Sequence, residues 1–299
     1  MLAALCGNSI FGFSFMFSRV ALGVATPFVM LMYRFAIAFA AIHIVVLCAR
    51  RFAPQGEGMH WLRFSLRGRR LWPLVLLGIV QPVAYFLCES YGISLTNSVF
   101  SGVIISLVPI ASLAMGAIFL HEIPRRAQVG FSALSIAGVI IITLQQSAEG
   151  AIRPLGVVQL IGAVLTGVTF NLIIRSIAGE YSALERTYVM MLIAVVAFTA
   201  LAVWECRANP AALLAPLASV PFMASILYLS LLSSITAFLV LNYAGGELPV
   251  AMTTAFCNLT TMISVLAGVV FLGEQFTLVS LAACMMIIAG VWGVQRTGA

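Results

Sequence analysis

The sequence predicts an all-α membrane protein: ten transmembrane helices arranged as two inverted five-helix repeats. Three observations predict it. The 299 residues are 63% apolar and only 8% charged, with a mean hydropathy of +1.14; a soluble domain is roughly 45–50% apolar and about 25% charged. Apolar runs of bilayer length recur along the whole chain, and the second half repeats landmarks of the first at a nearly fixed offset.

A helix needs about 20 apolar residues to cross the hydrocarbon. Runs of that kind, broken by Arg, Pro, Glu or Gly clusters, fall at Leu2–Leu22, Phe28–Cys48, Leu71–Ile93, Asn97–Leu120, Ala127–Leu144, Pro154–Ser176, Leu184–Trp204, Ser219–Val240, Glu247–Leu272 and Thr277–Val294. The first begins at Leu2 with neither a basic leader nor a small-residue cleavage site, so it is expected to stay as a helix. The third carries Pro82, which frees a backbone carbonyl and kinks a helix. Only Gly273-Glu274-Gln275 separates the last two, so a tight turn is expected there.

Arginine placement sets the orientation. With the N-terminus inside, the cytoplasmic segments collect Arg50, Arg51, Arg63, Arg67, Arg69, Arg70, Arg125, Arg126, Arg175, Arg186 and Arg296, while Arg19, Arg34, Arg153 and Arg207 fall outside. Both termini are therefore expected in the cytoplasm, in a multi-pass protein of the cytoplasmic (inner) membrane. This asymmetry explains the net charge of +6 better than nucleic acid would. Residues 50–70 interleave Trp61, Leu62, Phe64 and Leu66 with arginines, as an interfacial segment on an anionic leaflet would. Cys6, Cys48, Cys88, Cys206, Cys257 and Cys284 are scattered without CxxC spacing, and His43, His60 and His121 are equally dispersed. No metal, cofactor or disulfide is expected.

The repeat is direct. Phe119-Leu120-His121-Glu122 recurs as Phe271-Leu272-Gly273-Glu274, an offset of 152, and Ala137-Gly138-Val139 recurs as Ala289-Gly290-Val291. Tyr91 meets Tyr243 and Leu107 meets Leu259 at the same offset, while Gly7 and Gly12 return as Gly162 and Gly167. Five spans per half is odd, so the halves, 1–146 and 153–299, must lie in opposite orientations. Inverted repeats of this kind mark secondary transporters, whose substrate site lies between the halves.

Certain stretches carry a family likeness. Ser94-Leu95-Thr96-Asn97-Ser98 through Val103-Ile104-Ile105-Ser106-Leu107-Val108-Pro109, then Phe119-Leu120-His121-Glu122-Ile123-Pro124 and Ala137-Gly138, resemble the EamA domain of the drug/metabolite transporter superfamily. Asn8 through Arg19, Thr26-Pro27 and Tyr33-Arg34-Phe35 resemble its first two helices. His121 stands where a Gly is usual, and Asn8 near a common Trp. The resemblance implies ten helices, inverted repeats and export of amino acids or other small metabolites.

Charges and amides inside a bilayer are costly and are kept where they face a cavity or each other. Gln81, Tyr85, Cys88 and Glu89 follow i, i+4, i+7, i+8 and share one helix face. They read as a polar stripe on a substrate path, with ordinary interhelical hydrogen bonding as the alternative. Glu89 is the acidic residue lying well inside a span, at the depth of Arg19 and Arg34. It reads either as an ion pair at the outer mouth or as a gate or coupling group. The first span sets Asn8, Phe11, Phe15 and Ser18 on one face. Thr166, Phe170 and Asn171 on the sixth, Ser233 on the eighth, and Thr254, Asn258 and Thr261 on the ninth complete a mostly apolar wall with a few hydrogen-bonding groups. His43 reads as a structural histidine, and Glu122 and Glu274 as turn or cap residues.

The expected substrate-binding set is thus Asn8, Phe11, Phe15, Gln81, Tyr85, Glu89, Asn171, Ser233 and Asn258. The expected activity is export of amino acids, aromatic or other apolar ones included, or similar small metabolites by alternating access. The expected partners are a small-molecule substrate and the lipid bilayer, not nucleic acid. A membrane-embedded enzyme would need a nucleophile–base pair or metal cluster at membrane depth. A passive channel would suit a symmetric oligomer with a continuous polar stripe.

Overall fold

The computed structural model describes residues 2–52, 64, 65, 68, 70–119, 125–148, 152–177, 179–241, 257–274 and 276–298. Among them every regular element is helical: α1 Leu2–Leu22, α2 Pro27–Phe52, α3 Trp72–Leu95, α4 Ser98–Ile105, α5 Val108–Phe119, α6 Arg126–Ala148, α7 Pro154–Ile177, α8 Ala183–Glu205, α9 Val220–Leu241, α10 Cys257–Leu272 and α11 Leu278–Gly298. Among the described residues, seven helices are long and apolar enough to cross a membrane, and Thr260–Leu272 and Leu278–Val294 are shorter apolar helices. Large apolar side chains also cover the outside, Leu144, Val158, Val196, Val270 and Leu278 among them. A surface of that kind is matched to lipid rather than water.

The expected fourth span is two helices. Ser106 and Leu107 form a turn between α4 and α5, because Pro109 has no N–H to give the Ile105 carbonyl. Ser106 closes the end of α4 locally, its hydroxyl donating to the Val103 carbonyl at 2.6 Å. Of the expected ninth span, Cys257–Leu272 is described; the rest lies outside the described residues, as does Glu122. The expected tight turn forms at Gly273, whose φ is 63°, a left-handed conformation that glycine adopts without steric cost. Glu274 in that turn caps a distant helix. Its Oε1 accepts from the Ser98 backbone N–H at 2.9 Å and hydroxyl at 2.8 Å, and its Oε2 from the Val99 N–H at 2.9 Å. A carboxylate there meets both the unpaired N–H groups and the positive end of α4.

Helices from the two ends of the chain pair throughout. α6 packs on α11, α2 on α8, α3 on α7, and α1 on α9 and α10. The main core lies between α2, α3, α8 and α9, around Leu31, Phe35, Phe86, Met190 and Phe198. A second lies around Phe100, Leu160 and Ile287. Of the interfacial segment, Phe64 packs on Tyr188 and the Ser65 N–H donates to Glu185 Oε1 at 2.7 Å, tying its end to the start of α8.

The α6–α11 contact is reciprocal. A side chain at Gly138 would strike Ala283 and Ile287, and one at Gly290 would strike Phe131 and Ser135. The Ser135 hydroxyl donates to the Ile287 carbonyl at 2.9 Å across the same seam. Small residues let helix backbones approach this closely within a membrane. Gly138→Ala, whose Cβ would meet the Ala283 carbonyl oxygen at 2.7 Å, is expected to cost about 1–3 kcal/mol of stability. Gly130→Ala on the same helix, with nothing within 4 Å, is expected to be neutral or to gain up to about 1 kcal/mol from helix propensity. Thermal denaturation of the two purified variants in detergent compares them; indistinguishable melting would refute the close-packing argument.

Candidate functional site

The site is built on two departures from α-helical geometry. In α3, Pro82 withholds its N–H and pushes the preceding residue out of the helical region. Gln81 accordingly sits at φ −146°, ψ 120°, outside the helical region, so α3 is kinked within Ile79–Ala84. In α9 a π-helical stretch covers Tyr228–Ala237. Such wide turns recur at functional positions.

Between them lies Arg34 of α2, only 1% exposed. Its Nε–H donates to the Ser234 hydroxyl at 2.8 Å and an Nη2–H to the Ser233 hydroxyl at 3.0 Å. The wide turn brings two consecutive residues of α9 to one side, so a single guanidinium reaches both. Its Cζ lies 4.1 Å from the centroid of the Phe86 ring and 5.5 Å from that of Phe35, within cation–π range. Glu89, 4% exposed, is close enough for its charge to act on Arg34. The Tyr85 hydroxyl donates to Glu89 Oε1 at 3.1 Å, one helical turn away on the same face. Around these groups Phe238 receives the edges of Phe11, Phe86 and Phe170 at 5.4–6.4 Å, and Phe35 stacks on Phe198 at 5.3 Å.

Of the residues singled out in the sequence, Tyr85, Glu89, Ser233 and Phe11 fall in or beside this cluster, and Gln81 is buried at the kink of α3. Asn8, buried, joins α1 to α10 instead: Thr260 donates to its backbone carbonyl at 3.0 Å and its side-chain oxygen at 3.1 Å. Phe15 is buried on another side of α1, against Gly102 of α4. Asn171 is on the exposed side of α7, and its neighbour Phe170 turns towards Phe238 instead. The side chain of Asn258 lies outside the described residues. Arg19 is separate from Arg34: it donates to the carbonyls of Ile93 at 3.0 Å and Ser94 at 3.4 Å, closing the end of α3. His43 is exposed, its Nδ1 3.1 Å from the Tyr188 hydroxyl.

Three members of the cluster were not among the expected site residues: Arg34 itself, Ser234, and the ring of Phe86. The signal for Arg34 was available, a cation at the depth of Glu89. For Ser234 it was the paired serine within an apolar span. Among the described residues no three His, Cys, Asp or Glu side chains gather as metal ligands.

What the arrangement can do is hold separated opposite charges apart from lipid, with hydroxyls and aromatic faces between. Arg34→Gln and Glu89→Gln each strand the opposite charge, and the double variant removes both. In a double-mutant cycle read by thermal melting, the pair is expected to lose less than the sum of the singles, with a coupling of about 1–3 kcal/mol. Strict additivity would mean the two charges do not depend on each other.

Comparison with known proteins supplies the context. The EamA-like transporter family matches residues 1–144 and again 154–296. A Bacillus subtilis (strain 168) protein named "Uncharacterized transporter YcxC" is 29% identical over 295 residues, 98% of this chain and 91% of that one. A "Probable terminal-alkyne amino-acid exporter" of Streptantibioticus cattleyicolor is 29% identical over 234 residues, 77% of this chain and 75% of that one. A solved crystal structure superposes with a TM-score of 0.64 at 17% identity, covering 98% of this chain and 94% of that chain, which is a likeness of fold.

Proposed function

The chain belongs to the EamA-like transporter family, and from that premise we propose that it exports amino acids or similar small amphipathic metabolites by alternating access. The observation that carries this reading is the cluster of Arg34, Tyr85 and Glu89 buried within aromatic walls, charged groups in an interior otherwise lined by Phe. Lipid-embedded charge of this kind is retained for substrate or ion pathways. The likeness to an amino-acid exporter supports the substrate class. Phosphate-bearing substrates fit less well: they call for paired cations, and Arg34 is shared with Glu89 while Arg19 is committed to the end of α3.

The proposed architecture is ten transmembrane helices in two inverted five-helix repeats, 1–146 and 153–299, with both termini cytoplasmic in the cytoplasmic membrane. Supporting it, α6 and α11 meet through Gly138 and Gly290, the pair that the 152-residue offset relates, and each strikes the counterpart of what the other strikes. The packing of α3 on α7 has a similar counterpart in that of α9 on α1. Within this architecture the substrate path runs along Gln81, Tyr85 and Glu89 of α3 and Phe11 of α1, with Ser233 facing them from α9. The remaining proposed lining, Asn8, Phe15, Asn171 and Asn258, would join it in another conformation of the alternating cycle.

A transporter reading and an enzyme reading separate in sealed liposomes. Purified protein is expected to move labelled amino acids across the membrane without altering them chemically. Tyr85→Ala or Gln81→Ala is expected to lower the initial rate by about tenfold, the worth of one buried hydrogen bond, while insertion and folding are kept. Unchanged rates in both would remove this face from the path. A proton-coupled exporter needs a carboxylate that binds and releases H⁺, and Glu89 is the buried candidate. Transport is therefore expected either to fail in Glu89→Gln or to be independent of an imposed pH gradient. Proton-driven accumulation at full rate in that variant would assign coupling elsewhere.

A further inference from the structure

We infer that Arg34 and Glu89 form a receptor for a zwitterion, the guanidinium taking the carboxylate of the exported molecule and Glu89 its ammonium. Ser233 and Ser234 hold the edge of the guanidinium that the carboxylate would take. This rests on the amino-acid reading above and adds to it the groups that recognise the two ends of the substrate.

The first argument is geometric. A guanidinium binds a carboxylate through two parallel N–H···O bonds from one edge. In Arg34 the Nε–H and an Nη2–H of a single edge are engaged, at 2.8 and 3.0 Å, by two oxygens from adjacent residues. Two hydroxyls thus occupy the positions that two carboxylate oxygens would take. They are neutral acceptors, whereas a carboxylate brings a full negative charge and two parallel bonds to the same edge, so a carboxylate arriving there displaces them. The Phe86 ring, 4.1 Å from Cζ, covers one face of the guanidinium and leaves the edge as its binding surface. Both serines belong to the π-helical stretch of α9, where a local change of winding would carry the two hydroxyls off together.

The second argument is charge balance. Arg34 is 1% exposed and Glu89 4%, and each charge acts on the other. With Glu89 ionised, the pair is neutral as a unit. A zwitterion set between them adds one charge of each sign and leaves it neutral. A molecule with only an ammonium, or only a carboxylate, leaves one buried charge uncompensated, which is strongly unfavourable. The Glu89 side chain is suited to its part: Tyr85 donates to Oε1, and among the described residues no hydrogen bond is made to Oε2. The surrounding rings of Phe11, Phe86, Phe170 and Phe238 suit an apolar side chain beside the two charged groups.

The test uses the intact protein in liposomes, with efflux of labelled phenylalanine and labelled leucine as the assay. Unlabelled phenylalanine, its amide (a cation) and 3-phenylpropionate (an anion) serve as competitors. The amino acid is expected to compete, and both one-charge analogues to be weaker by about tenfold or more, as for a site whose buried polar groups would be left unpaired. Arg34→Lys keeps the charge and loses the fork. It is expected to raise KM for the amino acid by about tenfold, the worth of one charge-assisted hydrogen bond. The double variant Ser233→Ala, Ser234→Ala is expected to lower KM, because the competing hydroxyls are gone; a purely structural role for the serines would not lower it. Efflux of amino acids with equal competition by either one-charge analogue would overturn the zwitterion receptor and leave the export reading intact. Failure of either amino acid to move, in vesicles shown to contain folded protein, would overturn the amino-acid reading and the receptor with it.

Discussion

A guanidinium inside a membrane span has to be met on every side by the protein, and in this structure Arg34 fixes the arrangement of three helices by that requirement alone. An unmet arginine at the centre of a span costs about 2.5–3.5 kcal/mol even on the mildest scales. Here the hydroxyls come from α9, the aromatic face and the opposing charge from α3, and the guanidinium itself from α2. Those helices also share the main core around Phe35 and Phe86. Polar and apolar demands thus fall on the same surfaces. That Ser233 and Ser234 reach a single side chain depends on the wide turn of α9, so even the local winding of a distant helix answers to this one charge.

The backbone obeys the same rule. A helix end or break within lipid leaves N–H and C=O groups that water cannot reach. Two such places in the described chain are met by side chains from elsewhere. Glu274 closes the start of α4, where N–H groups are free and the dipole is positive; Arg19 closes the finish of α3, where carbonyls are free and the dipole is negative. Charged residues near the site are therefore of two kinds. Some neutralise helix ends. Arg34 and Glu89 face each other inside the bundle, and it is they that a substrate could address.

Much of this was legible in the sequence, for reasons that differ by level. Bilayer thickness dictates span length, so seven described helices coincide closely with apolar runs read by eye. On α3, Tyr85 and Glu89 follow helical spacing and share a hydrogen bond, whereas Gln81 sits at the kink, where helical spacing no longer tells which way a side chain faces. Two further things were not legible. Periodicity cannot distinguish one long helix from two short ones when the break is apolar, and the turn at Ser106 and Leu107 sits within continuous Val, Ile and Leu. Nor does a helical wheel say which neighbour a face will meet. Asn8, Phe11 and Phe15 share a side of α1, yet Phe11 meets α9 while Asn8 and Phe15 turn to α10 and α4. Likewise Phe170 and Asn171 are adjacent, and about 100° of helical rotation sends one inward and the other outward.

A transporter working by the proposed alternating access needs one part that stays rigid and another that bends, and the packing divides the molecule in that way. Along α6 and α11 two backbones touch through Gly138 and Gly290, with hardly space for a methyl group. A seam so close has few other ways to pack, since sliding would drive side chains into the facing backbone. Around Arg34 the contacts are of another type. Two hydroxyls, a ring face and a separated countercharge can each be exchanged for equivalents without exposing a bare charge, and the kink of α3 and the π-helical stretch of α9 lie there. Bending is cheapest where the helical ladder is already interrupted. Motion is thus directed to α3 and α9, on either side of the charged pair, while α6 and α11 hold the two halves of the chain together. The proposed site and the proposed hinge then coincide: a substrate held at Arg34 would act directly on the elements that would have to move.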